Sequence, residues 1–216
     1  QILERLQGEY GIPEWKPHGD PVSVLVKTIL SQNTNDTNRD RAMDKLTGRF
    51  PAWEDVAKAP PRSIEAAIRV GGLGHQKSRR IKDALKWIKD AFGEYSLESV
   101  KDMPTDEAYE LLTGLNRVGS KTASIVLLFG FGRPVFPVDT HIYRVTTRLG
   151  LLPEGASYNA AHRILGNIFE PENYYPIHIN LIKHGREVCR WRKPLCGKCF
   201  LSVLCPWASR NEGSYV

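Results

Sequence analysis

Apolar residues recur along the chain at helical spacing, with no sustained two-residue alternation of the kind that marks a strand. Val22, Leu25, Val26, Ile29 and Leu30 share one helical face, and Ile81, Leu85, Ile88 and Phe92 share another. The second set predicts a helix over residues 76–92. Ala161, Ile164, Leu165 and Ile168 repeat the pattern, with Ser157 placed to cap the helix they form. Breakers separate these runs: Pro51, Pro60, Pro61, Gly71, Gly72, Gly93, Pro104, Pro134, Pro137, Pro153, Pro171 and Pro176. The expectation is an all-α chain of about ten short helices, crossing between two lobes at residues 131–137. No repeat period or low-complexity tract interrupts it, and the polar stretch 210–216 reads as a frayed end.

Composition narrows the class. With 216 residues, 41% hydrophobic and 25% charged, the chain has the balance of a folded soluble protein. No run approaches the roughly 18 apolar residues of a membrane span, and residues 1–10 carry charges with no signal-peptide core. A cytoplasmic or nuclear location is the default. The net charge of +6 is mild, but its distribution is not. Seven Lys or Arg stand between positions 69 and 89 against Asp83 alone, and seven between 183 and 210 against Glu187. Two such stretches fit a footprint for a polyanion, as they also fit solvated helix faces.

All four cysteines fall close together, at Cys189, Cys196, Cys199 and Cys205, spaced C-x6-C-x2-C-x5-C. That clustering points to bound metal, since disulfides are disfavoured inside cells. Structural zinc gathers two short knuckles, whereas only Cys196 and Cys199 make one here. The longer arms favour a [4Fe–4S] cluster over zinc. Lys183, Arg186, Arg190, Arg192, Lys193 and Lys198 surround the motif and would offset the cluster's negative charge.

Two stretches carry candidate chemistry. Leu115-Asn116-Arg117-Val118-Gly119-Ser120-Lys121-Thr122-Ala123 links two helical patterns. Gly119 permits close backbone approach or a positive φ, and Ser120 is placed to cap the second helix. A hairpin that grips a phosphate backbone through main-chain amides reads this way, and so does an ordinary αα-hairpin. Lys121 lies in the first turn of that helix, against its dipole, a setting that suits an amine nucleophile. Asp139 follows Pro137 and precedes a helical run, so capping is its structural duty. The same carboxylate could steady a positive charge on a sugar or orient a water.

Taken in order, these stretches resemble the endonuclease III branch of the helix–hairpin–helix DNA glycosylases. The match runs through Ile29-Leu30-Ser31-Gln32-Asn33-Thr34-Asn35-Asp36, Gly72-Leu73-Gly74, the Lys121 hairpin, Val138-Asp139-Thr140-His141, and His184-Gly185-Arg186 into the cysteines. The resemblance implies an all-α fold of two helical lobes flanking a DNA-binding cleft. One is a six-helix barrel over residues 21–133, with the helix–hairpin–helix at 106–131. The other is a discontinuous domain of residues 1–20 and 134–216, with its cluster loop at 189–205. It further implies a [4Fe–4S] cofactor on Cys189, Cys196, Cys199 and Cys205, and a monomer acting on double-stranded DNA that contains damaged bases or abasic sites, in the cytoplasm at the nucleoid or in a nucleus. Lys121 and Asp139 match the family's catalytic pair, excising oxidised pyrimidines through a Schiff base and cutting the strand by β-elimination. Uracil or thymine mismatches are the alternative substrates, and a non-catalytic iron–sulfur DNA-binding protein is the rival class.

DNA contacts are implied at Gln32, Asn33, Asn116, Arg117, Val118, Gly119, Ser120, Thr122 and Lys193. Two departures from the family pattern stand out. Asn116 and Arg117 replace the usual Pro and Gly of the hairpin, where Arg117 would cost about 1 kcal/mol if φ is positive or add a contact to phosphate. The family's gap-filling glutamine matches Asn33, with Gln32 immediately before it, and either amide could serve.

Overall fold

Pro21 at the first position of α2 (Pro21–Ser31) has no N–H to lose there, and Asp20 caps the helix by accepting the Ser23 N–H at 2.9 Å. α2 is the buried centre of its unit: Val22, Leu25, Val26, Ile29 and Leu30 are each at most 4% exposed. In this computed structural model, which describes residues 1–116 and 118–210, the chain divides into two compact units, residues 17–133 and residues 1–16 with 134–216.

In the continuous unit, α2 packs against α3 (Asp36–Arg49), α6 (Gly74–Phe92) and α8 (Ser120–Ile125). α4 (Trp53–Lys58) and α5 (Pro61–Ile68) lie on α6, and α7 (Thr105–Thr113) lies on α8. The predicted helix over 76–92 starts two residues earlier, at Gly74, and ends on Gly93 in the left-handed region. α8 runs on into a π-helical turn, Val126–Gly130, which apolar periodicity gave no means of expecting.

The discontinuous unit joins α1 (Ile2–Tyr10) to α9 (Thr140–Arg148), α10 (Tyr158–Ile168), α11 (Tyr174–Glu187) and α12 (Pro206–Arg210). α11 packs against both α1 and α9. It meets α9 at Gly185, where an added Cβ would stand 3.0 Å from the His141 Cβ. Ser157 caps α10 by accepting the Ala160 N–H at 3.1 Å. Pro176, read from sequence as a breaker, instead sits in the first turn of α11. Helices tolerate proline there, because the first four N–H groups have no partner within the helix.

Among the described residues the structure has twelve α-helices, several short 3-10 turns and no strand. No helix of the described residues is long and apolar enough to cross a membrane.

Candidate active site and metal centre

Lys121 is exposed on the second residue of α8. The N-cap of α8 is Gly119, with φ −91° and ψ 178°, and no side chain caps the helix. Of the two readings of Gly119, the positive φ is excluded, because its backbone is extended. Ser120 lies inside the helix rather than before it, which corrects its expected place as the cap. A glycine cap has no side-chain oxygen to offer, so the first-turn amides of α8 are left to other acceptors. Val118 and Thr122 are both 6% exposed, so these side chains pack inward and only their main chains can serve a ligand. Asn116 is exposed and Ser120 half-buried, while Arg117 lies outside the described residues.

The early motif separates its two amides. Gln32 is half-buried and its side-chain oxygen accepts from Arg80 Nη1. Asn33 is exposed, with φ 52°, in a backbone region that a residue with a Cβ enters at a cost. Among the described residues of this unit, Leu73 is the other non-glycine position with positive φ, at 51°, with 45% of its surface exposed.

In the discontinuous unit, the half-buried Asp139 caps α9, its Oδ1 accepting the Ile142 N–H at 2.8 Å. That bond fixes the carboxylate's orientation. His141, two residues on, has its pKa lowered chiefly by burial.

Cys189, Cys196, Cys199 and Cys205 line one small cavity with Arg148, His184 and an apolar shell that includes Val145, Leu149 and Leu201. Two arginines of α9, not anticipated from sequence, brace its rim. Arg144 donates to the Cys189 carbonyl at 2.9 Å and to the Gly185 carbonyl at 2.7 Å. Arg148 Nη1 reaches Cys189 Sγ at 3.3 Å and the Arg190 carbonyl at 2.8 Å, and its guanidinium stacks 4.1 Å from the Trp207 ring centre. The pair sits four residues apart on one face of α9, but only the returning chain reveals what that face meets. Burial pushes the Cys199 thiol up to about 11, helped by the charges of Cys189, Cys196 and Cys205. The Cys199 thiol beside three others resists becoming a thiolate unless a cationic group sits among them, which fits a metal cluster. No group of three or more His, Cys, Asp or Glu among the described residues is arranged to hold a metal ion. Burial also brings the neighbouring His184 down to about 4. Lys193 is exposed on the same loop, with φ 49°.

The basic stretch at 69–89 is less of a surface than its sequence implied. Lys77 is 1% exposed and donates to the carbonyls of Leu30 and Gly71, while Lys82 donates to those of Ala57 and Ala59.

Residues 26–171 match the HhH-GPD superfamily of base excision DNA repair proteins. The chain belongs to that superfamily. Its HhH-GPD relatives include the endonuclease III of Thermotoga maritima, 32% identical over 89% of this chain and 85% of that protein. The endonuclease III of Sulfolobus acidocaldarius is 35% identical over 88% and 83%. A protein of Arabidopsis thaliana named as a DNA glycosylase is 35% identical over 85% of this chain, which spans 60% of that relative's length. A solved structure of a trapped covalent intermediate between endonuclease III and DNA superposes with a TM-score of 0.84 at 26% identity, covering 97% of this chain and 95% of that one.

Proposed function

We propose that Lys121 is the nucleophile of this base-excision DNA glycosylase and abasic-site lyase, and that its substrates are oxidised pyrimidines in double-stranded DNA. The observation that carries the reading is an exposed amine on the first turn of a helix whose N-cap is a glycine, directly after the hairpin. A relative with the same fold forms a covalent intermediate with DNA, as an amine nucleophile requires.

The amine of Lys121 adds to C1′ of the damaged nucleotide as the bond from C1′ to the base breaks. The base leaves with the bonding electrons and takes up a proton. Opening of the sugar ring gives an iminium, which acidifies C2′. Loss of that proton drives the electrons toward C3′, and the 3′ phosphate departs. Water then hydrolyses the imine and restores the amine. Asp139, held through Oδ1, balances the positive charge that grows on the sugar and accepts the proton of the attacking amine through its other oxygen.

Contacts to the DNA backbone are assigned to the main chain of Val118, Gly119, Ser120 and Thr122, with Asn116, Arg117 and Lys193 beside phosphate. Asn33, the outward-facing amide, is assigned to the gap left by the flipped nucleotide, and Gln32 is assigned to its support through Arg80. Cys189, Cys196, Cys199 and Cys205 are assigned as the ligands of a [4Fe–4S] cluster. When bound, it would offset part of the charge of the four thiolates and cross-link the loop that carries Lys193. The proposed domains are residues 21–133, with the hairpin at 106–131, and residues 1–20 with 134–216. The working form is a monomer at the nucleoid, or in the nucleus of a eukaryote.

Duplexes bearing thymine glycol, uracil opposite guanine, or thymine opposite guanine test the substrate class. The expected result is free base plus a β-eliminated 3′ end from thymine glycol, at a rate well above the other two. Faster action on either mismatch, with strands left uncut, would replace this reading with the mismatch alternative.

A further inference from the structure

A buried ammonium group in the continuous unit has no part in the chemistry above. Lys77 lies in the first turn of α6, is 1% exposed, and sends its Nζ to the Leu30 carbonyl at 2.8 Å and the Gly71 carbonyl at 2.7 Å. Both acceptors belong to ending helices. Leu30 is the penultimate residue of α2, and Gly71 is the last of the 3-10 turn Arg69–Gly71. Carbonyls in the last turn have no partner within their own helix and carry the negative end of its dipole. One cation therefore closes two helix ends, and it holds those oxygens no further apart than its two hydrogen bonds allow. The approach is close: a Cβ on Gly71 would stand 3.3 Å from the Ala42 Cβ and 3.9 Å from Nζ.

Each closed end leads at once into a strained turn. Three residues after Leu30 comes Asn33, and two after Gly71 comes Leu73, the two non-glycine residues with positive φ among the described residues of this unit. Such conformations persist only where their surroundings dictate them. Arg80, one turn beyond Lys77 on α6, adds a bond to the Gln32 side chain between them. α6 thus reaches both turns with cations from one face. Burial and the Arg80 charge lower the pKa of Lys77, the expected cost of placing an ammonium here, and its two carbonyl acceptors offset that cost.

We propose that Lys77 is a positioning residue whose ammonium clamps the Asn33 and Leu73 turns into one preformed platform for the space vacated by a flipped nucleotide. This rests on the glycosylase reading above. A clamp of this kind matters most when a paired base must be opened and its gap filled, and least at an abasic site, where no base has to leave the stack.

The test compares two reactions of one protein under single-turnover conditions. Lys77→Met should slow excision of thymine glycol opposite adenine on the order of tenfold, while strand cleavage at a preformed abasic site changes by less than about twofold. Lys77→Gln keeps two N–H donors on a neutral head and should fall between wild type and Lys77→Met. It carries the comparison by itself if the methionine variant does not fold. Amide hydrogen exchange of the same variants without DNA should quicken at residues 31–35 and 71–74 and not across α3 or α5. Equal losses on both substrates, or unchanged exchange in the two turns, would overturn the clamp. If wild-type protein neither excises a pyrimidine nor cuts an abasic strand, the glycosylase reading has failed, and the exchange data still report on the clamp's structural half.

Discussion

Asp139 has two duties that substitution can pull apart. Its Oδ1 accepts the Ile142 N–H at 2.8 Å and so caps α9, while its charge serves the reaction. Asparagine offers the same oxygen at the same place, so Asp139→Asn keeps the cap and forfeits only the favourable meeting of a carboxylate with a helix N-terminus, about 0.3–1 kcal/mol. Alanine removes the acceptor as well and should cost about 1–2 kcal/mol for the cap alone. In a chain of this size each kcal/mol moves Tm by roughly 2–4 °C. Asp139→Asn should therefore melt within about 4 °C of wild type, and Asp139→Ala should melt below Asp139→Asn by roughly 2–8 °C. Excision should fall on the order of 100-fold or more in both, because neither can balance charge on the sugar or take the amine's proton. Thermal melts and single-turnover excision of thymine glycol, run on the same preparations, measure the two quantities. Full excision by Asp139→Asn would refute the need for a charged carboxylate, and an unchanged Tm in Asp139→Ala would refute the cap.

Three further predictions concern the metal loop, the basic stretch and pH. Cys205→Ser should yield protein lacking the brown colour and the absorbance at about 400 nm expected of native material; a colourless wild type holding stoichiometric zinc would overturn the cluster assignment. Lys82→Met should cost about 1–3 kcal/mol by stranding the Ala57 and Ala59 carbonyls and leave the salt dependence of DNA binding unchanged. The exposed Arg79→Met should do the reverse if it meets phosphate, lowering the salt slope by about one; equal slopes in the two variants would remove Arg79 from the interface. His18 packs edge-on against Phe129 and has its pKa lowered by burial first and Lys27 second. The unfolded chain therefore binds this proton more readily, so His18's contribution is complete above about pH 6.5 and is lost as pH falls below it. Melts of wild type and His18→Gln between pH 7.5 and 5.5 should show a shallower decline in the variant, and parallel declines would contradict the assignment.

Local signals were legible in the sequence because their causes are local. The caps at Asp139 and Ser157, the helix of α6 and the place of Lys121 on α8 each depend on neighbours within a turn or two. Ser120 missed its cap by one position, since nothing in the sequence says whether a glycine or the serine beside it ends the loop. Pro176 missed for a related reason: the same residue stops a helix in mid-run and is harmless in its first turn. What sequence could not supply was the partner of a long side chain. Lys77 and Lys82 count toward the charge of a basic stretch, yet their acceptors lie on other elements, Leu30 being 47 residues away. Arg144 and Arg148 likewise take meaning only when the chain returns more than 40 residues later with Cys189 and Arg190.

The central claim is that the Lys121 amine bonds to the sugar, and reductive trapping tests it most directly. Borohydride added to wild-type protein with an abasic-site or thymine glycol duplex should fix a covalent protein–DNA adduct that migrates as one species. Lys121→Ala, folded and still able to bind the duplex, should give none. Absence of an adduct with wild type, or an undiminished adduct with Lys121→Ala, would contradict the account.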